Sequence, residues 1–309
     1  MDPATLPPIA TVSRVDFGAI VLMTDDGRRL DATVPARLRG AKKALGNAVV
    51  VGDRVHLAWE SDRIAVQAVE PRLNAFSRRA AGEREVEQVV AVNLDQVVIV
   101  ASMRQPDLKH GLVDRVLVQC EHAGIQARIA FNKIDLADAG EVETAVEDYA
   151  AAGAIGHAMS ASHDLGLDVL LEACRGRRTL FVGHSGVGKS SIMARIAPGH
   201  ELLTGDVNTV TGKGRHTTTA ALLIRPEPGL ELIDTPGVRA FALWGVDADT
   251  LQEYYPDIRE HLGRCRFNDC RHDREPGCGL RAVLESGAIR ERRFASFLKL
   301  RAELEGGYE

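Results

Sequence analysis

The sequence predicts an α/β protein in which a doubly wound central domain follows a small β-barrel and precedes a mainly helical, cysteine-containing segment. Three observations support this prediction. Short β-rich runs separated by turn signals fill the N-terminal part, apolar strands alternate with helical patterns in the middle, and three of the five cysteines cluster near the C-terminus. We place the three parts at residues 1–71, 72–245 and 246–309.

Composition narrows the class of protein. The chain has 309 residues, 45% hydrophobic and 26% charged, which is typical of globular proteins. Its longest apolar run, around Val97–Ala101, is too short to span a membrane, and the N-terminus has no signal-like stretch. We therefore expect a cytoplasmic monomer without a membrane partner. The formal net charge of −5 provides no global basic field, so any contact with RNA has to come from local patches.

The N-terminal part reads as several short strands within residues 9–69. Apolar runs at Gly18–Leu22, Val49–Val51 and Ile64–Val66 are separated by turn signals such as Asp25-Asp26-Gly27. This pattern predicts a small barrel, and an OB-fold is the natural candidate, although other small barrels share the pattern. The basic stretch Arg37–Lys43 between the strands is either a loop that touches phosphates or a solvated loop.

The central part alternates strands with helices. Predicted strands end just before each of the polar motifs described below, and helical patterns cover Leu112–Cys120, Glu141–Ala152 and Leu167–Cys174. In a doubly wound domain, ligands bind at the carboxyl ends of the strands. The strands are predicted at Val97–Val100, Arg128–Phe131, Ala154–Met159, Thr179–Val182, Ala220–Ile224 and Leu230–Ile233.

A phosphate-binding loop, G-x-x-x-x-G-K-S, follows the strand that ends at Val182. In such loops backbone N–H groups surround the phosphates, the lysine bridges the terminal phosphates and the serine hydroxyl binds Mg²⁺. A simple glycine-rich turn would not explain Lys189-Ser190. The predicted nucleotide-binding residues here are Gly183, His184, Ser185, Gly186, Val187, Gly188, Lys189, Ser190 and Ser191.

The motif Asn132-Lys133-Ile134-Asp135 predicts that the base is guanine. The Asp135 carboxylate accepts hydrogen bonds from guanine N1–H and the 2-amino group, whereas adenine would leave it unpaired at a cost of about 1–3 kcal/mol. Asn132 braces the loop and reaches the base edge, and the Lys133 stem lies along the purine. In the later pair Ser160-Ala161, the Ala161 N–H meets guanine O6. Alone, N-K-x-D also occurs as a helix start.

Two further segments complete a guanine-nucleotide site. Asp234 in the motif D-T-P-G is predicted to hold Mg²⁺ through water, and the Gly237 amide to sense the γ-phosphate. Residues 212–219 (G-K-G-R-H-T-T-T) combine mobile glycines, cations and hydroxyls and resemble a switch. We favour Thr218 over Thr217 as its metal-sensing residue. The predicted magnesium ligands are thus Ser190, Thr218 and Asp234.

The residue after Gly237 is Val238, where Ras-like GTPases carry the glutamine that orients water. His216 is the nearest candidate to replace that glutamine, because an imidazole can position or deprotonate water near neutral pH. Alternatively, His216 contacts RNA phosphate or packs within its loop. The predicted catalytic residues are therefore His216, Lys189 and Thr218.

The clustered cysteines predict a zinc site. Cys265, Cys270, His272 and Cys278 supply three thiolates and one imidazole, which complete a tetrahedral shell and indicate a structural role. His261 is a weaker ligand. The alternative is three reduced cysteines in a surface loop.

The motif set is complete but rotated, because N-K-I-D and Ser160-Ala161 precede the phosphate loop. A circular permutation moves the chain ends and keeps the loops together in space. With the switch sequence, the N-terminal barrel and Cys-x4-Cys-x-His-x5-Cys, the chain resembles the RsgA (YjeQ) family of small ribosomal subunit biogenesis GTPases. The resemblance implies an OB-fold, a permuted GTPase domain and a zinc-binding domain. It also implies binding to small-subunit rRNA, GTP hydrolysis stimulated by that subunit, and a role in late assembly.

Two functions remain open at this point. One is a GTPase assembly factor in which hydrolysis drives release from the subunit. The other is an RNA-binding protein that only senses GTP, with a negligible catalytic role. A third function, that of a signalling GTPase at a membrane, is disfavoured because the chain has no lipidation motif. The rotated order also suggests that Gly237 biases the orientation of the C-terminal segment, and that the barrel adjoins the guanine side of the sheet.

Overall fold

A computed structural model describes residues 5–16, 19–35, 38, 48–60, 62–80, 86–203, 221–238 and 240–306. The first five strands form the predicted barrel. They pair antiparallel in the order β3-β2-β1-β4-β5, and a parallel bridge between Thr33 and Ala65 closes β3 against β5. Alternate side chains, including Val12, Leu22, Val55 and Val66, point into a buried core. The strands are β1 (Ile9–Asp16), β2 (Ala19–Met23), β3 (Arg29–Ala32), β4 (Arg54–Glu60) and β5 (Arg63–Val69).

A separate two-stranded hairpin follows the barrel. It comprises β6 (Ala75–Arg79) and β7 (Glu87–Val92), which the sequence pattern did not predict. Gly52 of the barrel approaches this hairpin so closely that a Cβ there would lie 2.3 Å from the Val92 carbonyl oxygen. Its φ of +96° also favours glycine. The hairpin therefore forms one side of the junction with the barrel.

The predicted doubly wound domain is confirmed. Its strands lie in the order β10-β9-β8-β11-β13-β12, and all neighbours are parallel except β12 and β13. All seven residues of β8 are buried, as expected for a central parallel strand covered on both faces. The elements are β8 (Gln96–Ser102), α1 (His110–His122), β9 (Gln126–Asn132), α2 (Ala139–Ala151), β10 (Ile155–Ala158), α3 (Leu167–Cys174), β11 (Arg178–Gly183), α4 (Lys189–Ile196), β12 (Leu222–Ile224) and β13 (Glu231–Asp234).

The barrel lies at the β12 edge of this sheet. β1 pairs antiparallel with β12 at Arg14 and Leu222, and the Ser13 hydroxyl donates to the Leu223 carbonyl over 2.7 Å. The guanine motifs follow β9 and β10 at the opposite edge. The expectation that the barrel adjoins the guanine side is therefore wrong. An edge strand such as β12 has unpaired backbone groups, and β1 satisfies them.

The C-terminal segment is mainly helical, as predicted. It contains a 3₁₀ turn at Leu251–Tyr254 and three helices, α5 (Pro256–Arg259), α6 (Gly279–Glu285) and α7 (Glu291–Gly306). Leu280, Phe294 and Phe297 belong to the same apolar core as Val116 of α1 and Tyr149 of α2. The segment is thus packed against the central domain through a shared core. None of the helices in the described ranges is long and apolar enough to cross a membrane.

A buried arginine anchors α7 to the central domain. The Arg293 side chain is 1% exposed. It donates to Asp114 of α1 over 2.6 Å and makes two hydrogen bonds of 3.0 Å to the Asp257 carboxylate. Its guanidinium also lies over the Tyr255 ring, 4.5 Å from the centroid. The segment is therefore docked on α1 as well as linked through the chain that leaves Gly237.

The buried contacts of Arg293 predict that its substitution lowers the stability of the fold. Arg293→Met leaves Asp114 and Asp257 buried with fewer cationic partners, and breaking a buried pair typically costs about 3–5 kcal/mol. We expect a fall of several degrees in the midpoint of thermal unfolding, measured by circular dichroism. Arg290→Ala is the control, because Arg290 is half exposed and its pair with Asp148 should contribute about 0–1 kcal/mol. Equal midpoints for the two variants would contradict the anchor.

Candidate nucleotide site and metal centre

The sheet order brings the nucleotide motifs to one edge. The phosphate loop follows β11, D-T-P-G begins at the end of β13, and N-K-I-D begins at the end of β9. Ser160 and Ala161 follow β10, and all four of these strands are parallel. Motifs that are far apart along the chain therefore meet at the carboxyl ends of neighbouring strands, as the permutation requires.

The phosphate loop depends on glycine where it touches the base motif. Gly186 and Gly188 have φ values of +83° and +93°, and α4 begins directly afterwards at Lys189. A Cβ on Gly188 would lie 2.2 Å from Asn132 Nδ2. Any larger residue at 188 would therefore separate the phosphate loop from the base motif.

Asn132 connects the loops that follow β9, β10 and β11. Its buried amide Nδ2 donates to the Val187 carbonyl over 2.9 Å, and its Oδ1 accepts from the Ala161 N–H over 3.0 Å. This is the bracing role expected from the sequence. The Ala161 N–H, which we assigned to guanine O6, donates to Asn132 in this structure.

The predicted base-recognition residues lie beside this link. Ser160 Oγ donates to Asp135 Oδ1, and this hydrogen bond is the main reason why the pKa of Asp135 lies below its usual value. The carboxylate therefore remains an acceptor. Lys133 has a left-handed backbone, with φ of +61°, and its amine donates to the carbonyls of Gly186 (2.8 Å) and Gln105. Ile134 starts a 3₁₀ turn that contains Asp135.

The contact of Lys133 with Gln105 was not predicted. Gln105 lies in the loop after β8, which carries none of the nucleotide motifs. The available signal was topological: β8 is parallel to β9 and β11, so its carboxyl end reaches the same edge of the sheet.

Lys189 and Asp234 form a buried ion pair. Their side chains are 5% and 0% exposed, and the other Asp234 oxygen accepts the Leu203 N–H over 2.7 Å. From the sequence we expect Lys189 to bind phosphate and Asp234 to hold Mg²⁺, and the structure places these two side chains in contact. Ser190 and Ser191 occupy the first turn of α4 next to Lys189.

The D-T-P-G turn packs on the phosphate loop. The Thr235 hydroxyl donates to the Phe181 carbonyl over 2.7 Å, and the Val238 N–H donates to the Gly183 carbonyl over 3.0 Å. A Cβ on Gly237 would lie 3.2 Å from the backbone of Ser185. Gly237 is thus close enough to the loop for the predicted γ-phosphate contact. His216, Thr217 and Thr218 lie outside the described residues, as does most of the basic stretch Arg37–Lys43.

The predicted zinc ligands converge. The ligand atoms of Cys265, Cys270, His272 and Cys278 all lie within 4.8 Å of one another, and His261 is not part of this group. His272 Nδ1 is 3.4 Å from Cys265 Sγ and 3.5 Å from Cys278 Sγ, and the two sulfurs are 4.0 Å apart. A disulfide requires an S–S distance of about 2.05 Å, so these cysteines are free thiols in a cluster that could hold a metal ion.

Gln252 contacts a histidine of this cluster, and the sequence pattern did not predict this contact. Its Oε1 lies 2.9 Å from His272 Nε2, which leaves Nδ1 to face the sulfurs. Metal-binding histidines commonly donate their second ring N–H in this way. The residue comes from the 3₁₀ turn at Leu251–Tyr254, and no local pattern in the sequence indicates it.

Comparison with known proteins identifies the family. The sequence model of the RsgA GTPase family matches residues 69–244. A small ribosomal subunit biogenesis GTPase RsgA from Gemmatimonas aurantiaca is 38% identical over 296 residues, covering 94% of this chain and 95% of the relative. A protein of the same name from Pseudomonas aeruginosa is 40% identical over 261 residues, covering 83% and 76%.

Two solved structures agree with this result over nearly the whole chain. YjeQ from Thermotoga maritima superposes with a TM-score of 0.77 at 26% identity, covering 98% of this chain and all of that one. YloQ, described as a circularly permuted GTPase, gives 0.72 at 25% identity, covering 98% and 96%. With its motif order, its sheet and these matches, the chain belongs to the RsgA family of circularly permuted GTPases.

Proposed function

We propose that this GTPase binds GTP with Mg²⁺, hydrolyses it to GDP and phosphate, and acts in late maturation of the small ribosomal subunit. In this proposal it binds the subunit's rRNA, the subunit stimulates hydrolysis, and hydrolysis is coupled to release. The observation that carries the proposal is the convergence of four nucleotide loops at one edge of the sheet, three of which are joined by Asn132. Relatives that match 94% of the chain are named small ribosomal subunit biogenesis GTPases.

The residues fit a magnesium–nucleotide complex. Ser190 and Asp234 offer a hydroxyl and a carboxylate, and such hard oxygen ligands suit Mg²⁺, which would neutralise charge on the β- and γ-phosphates. With GTP bound, Lys189 would pair with the terminal phosphates instead of Asp234, and the Asp234 carboxylate would help to hold Mg²⁺. Thr218 supplies the remaining protein ligand in our proposal. The buried pair therefore keeps both charges compensated until the ligand replaces it.

Guanine recognition rests on Asp135. The carboxylate is held by Ser160 and stays ionised, so it can accept from N1–H and the 2-amino group of guanine. Gly237 lies against the backbone of Ser185 in the phosphate loop, and in our proposal its N–H senses the γ-phosphate. His216 orients the attacking water, because Val238 has no polar side chain to do so.

The steady-state rate of GTP hydrolysis tests the proposed function. We expect purified small ribosomal subunits to raise the steady-state rate of GTP hydrolysis by at least about tenfold, because a bound partner completes a site that lacks the usual glutamine. Phosphate release is measured with and without subunits, and large subunits serve as the control. No stimulation would contradict the assembly-factor function and favour the alternative of an RNA-binding GTP sensor.

The same assay tests whether His216 acts in GTP hydrolysis. We expect His216→Ala to abolish stimulated turnover, while GTP affinity measured by fluorescence titration stays within about twofold, because the residue acts on water and not on the nucleotide. His200→Ala is the control. Normal turnover of the His216 variant would remove this residue from the mechanism.

We also propose that the cysteine cluster holds one structural Zn²⁺. Ligand bonds of about 2.3 Å to sulfur and about 2.0–2.1 Å to nitrogen, arranged tetrahedrally, separate ligand atoms by about 3.5–3.8 Å. The distances of 3.4, 3.5 and 4.0 Å between these residues fit that shell. The four residues fill it, so the metal would have no open position for catalysis.

Metal analysis tests this proposal. We expect about one zinc per chain by mass spectrometry, and loss of most of it in Cys270→Ser, since three ligands hold zinc less tightly than four. Cys174→Ala is the matched control, because Cys174 is a buried free cysteine in α3, away from the cluster. A properly folded protein without zinc would overturn the site.

A further inference from the structure

A histidine stands at the edge of the guanine-recognition motif. His163 lies in the loop Ser160–Leu165, which is closed by two backbone hydrogen bonds of 3.0 Å between Ser160 and Leu165. Gly166 follows the loop with φ of +70°, and a Cβ there would lie 2.4 Å from the Ala158 carbonyl oxygen. The loop is therefore fixed against the end of β10, and so is the backbone of His163.

The imidazole faces the residues that recognise the base. His163 Nδ1 lies 3.2 Å from Ser160 Oγ, 3.2 Å from Ser162 Oγ and 3.7 Å from Asp135 Oδ2. The side chain is 60% exposed, whereas Asp135 is 18% exposed. His163 is thus the outermost member of a polar chain that ends at the guanine-binding carboxylate.

The direction of the hydrogen bonds follows from the chemistry of the groups. An ionised carboxylate only accepts, so the single hydroxyl proton of Ser160 is directed to Asp135 Oδ1. Ser160 Oγ then has only lone pairs to offer His163. Ser162 Oγ lies 3.1 Å from Ser160 Oγ and 3.2 Å from the same ring nitrogen. A hydrogen bond between His163 and Ser160 therefore requires a proton on Nδ1, which one neutral tautomer and the charged form both supply.

We propose that His163 is a positioning residue for guanine recognition, which acts through Ser160 to orient Asp135. Its Nδ1–H donates to Ser160 Oγ, polarises that hydroxyl and fixes its rotamer, so the Ser160 O–H stays directed at Asp135 Oδ1. Hydrogen bonds in such a chain strengthen one another. The free lone pairs of the carboxylate are then aimed at the base. This inference rests on the proposed binding of guanine nucleotides by the same site.

Inosine diphosphate (IDP) isolates the part of recognition that belongs to Asp135. Inosine keeps O6 and N1–H and lacks the 2-amino group, so it loses one of the two hydrogen bonds to the carboxylate. The ratio of the dissociation constants for IDP and GDP therefore reports how well Asp135 is oriented. A merely structural role of His163 in the loop that contains Ala161 would weaken the two nucleotides by the same factor.

The experiment measures both dissociation constants by calorimetry, for the full chain, three His163 variants and one control variant. The wild-type protein should bind IDP roughly tenfold to a hundredfold more weakly than GDP. His163→Ala should lower that ratio by roughly fivefold, as expected for one lost positioning hydrogen bond. His163→Asn places an amide N–H where Nδ1 stood and should restore the ratio, whereas His163→Gln places its amide near Nε2 and should not. His56→Ala in the barrel is the control and should match the wild type.

The possible outcomes distinguish the positioning role of His163 from the guanine-nucleotide binding on which that role rests. A wild-type protein that does not bind GDP would overturn both. Normal wild-type discrimination with an unchanged ratio in His163→Ala would overturn only the role of His163. Equal weakening of GDP and IDP, or restoration by Gln as well as Asn, would also overturn it.

Discussion

The buried amide of Asn132 is the contact on which the nucleotide site depends. It donates to the Val187 carbonyl in the phosphate loop and accepts from the Ala161 N–H. One side chain therefore links three loops that come from different parts of the chain. An amide can do this because it carries a donor and an acceptor on one rigid group. Gly188 allows the approach, and Lys133 adds a second contact to the phosphate loop through Gly186. The phosphate and guanine halves of the site are therefore one unit.

Circular permutation leaves this unit intact and changes what surrounds it. The order of the strands in space keeps the four loops at one edge, whichever loop comes first in the chain. The barrel joins β12, the strand that follows residues 204–220 along the chain. The C-terminal segment is held on α1 by Arg293, and Gln119 of α1 binds Trp244 on the chain that leads there from Gly237. The hypothesis that Gly237 biases the orientation of this segment therefore has to include the α1 contact.

Much of this architecture was predictable, because the motifs are local. Gly188, Lys189 and Asp135 occur in short patterns whose chemistry defines them, and the predicted zinc ligands lie within fourteen residues. The missed features depend on contacts between distant residues. Arg293 is one of several arginines near α7, and only the positions of Asp114 and Asp257 make it the buried one. His163, Gln252 and the pairing of β1 with β12 likewise follow from packing, which periodicity does not encode.

The affinity of Asn132→Asp for GDP tests whether Asn132 joins the phosphate and guanine halves of the nucleotide site. This nearly isosteric change keeps the acceptor for Ala161 but removes the donor to Val187 and places a carboxylate against that carbonyl. We expect the dissociation constant for GDP, measured by calorimetry, to rise by at least about tenfold, while circular dichroism shows a folded protein. A folded variant that binds GDP as tightly as the wild type would contradict this role of Asn132.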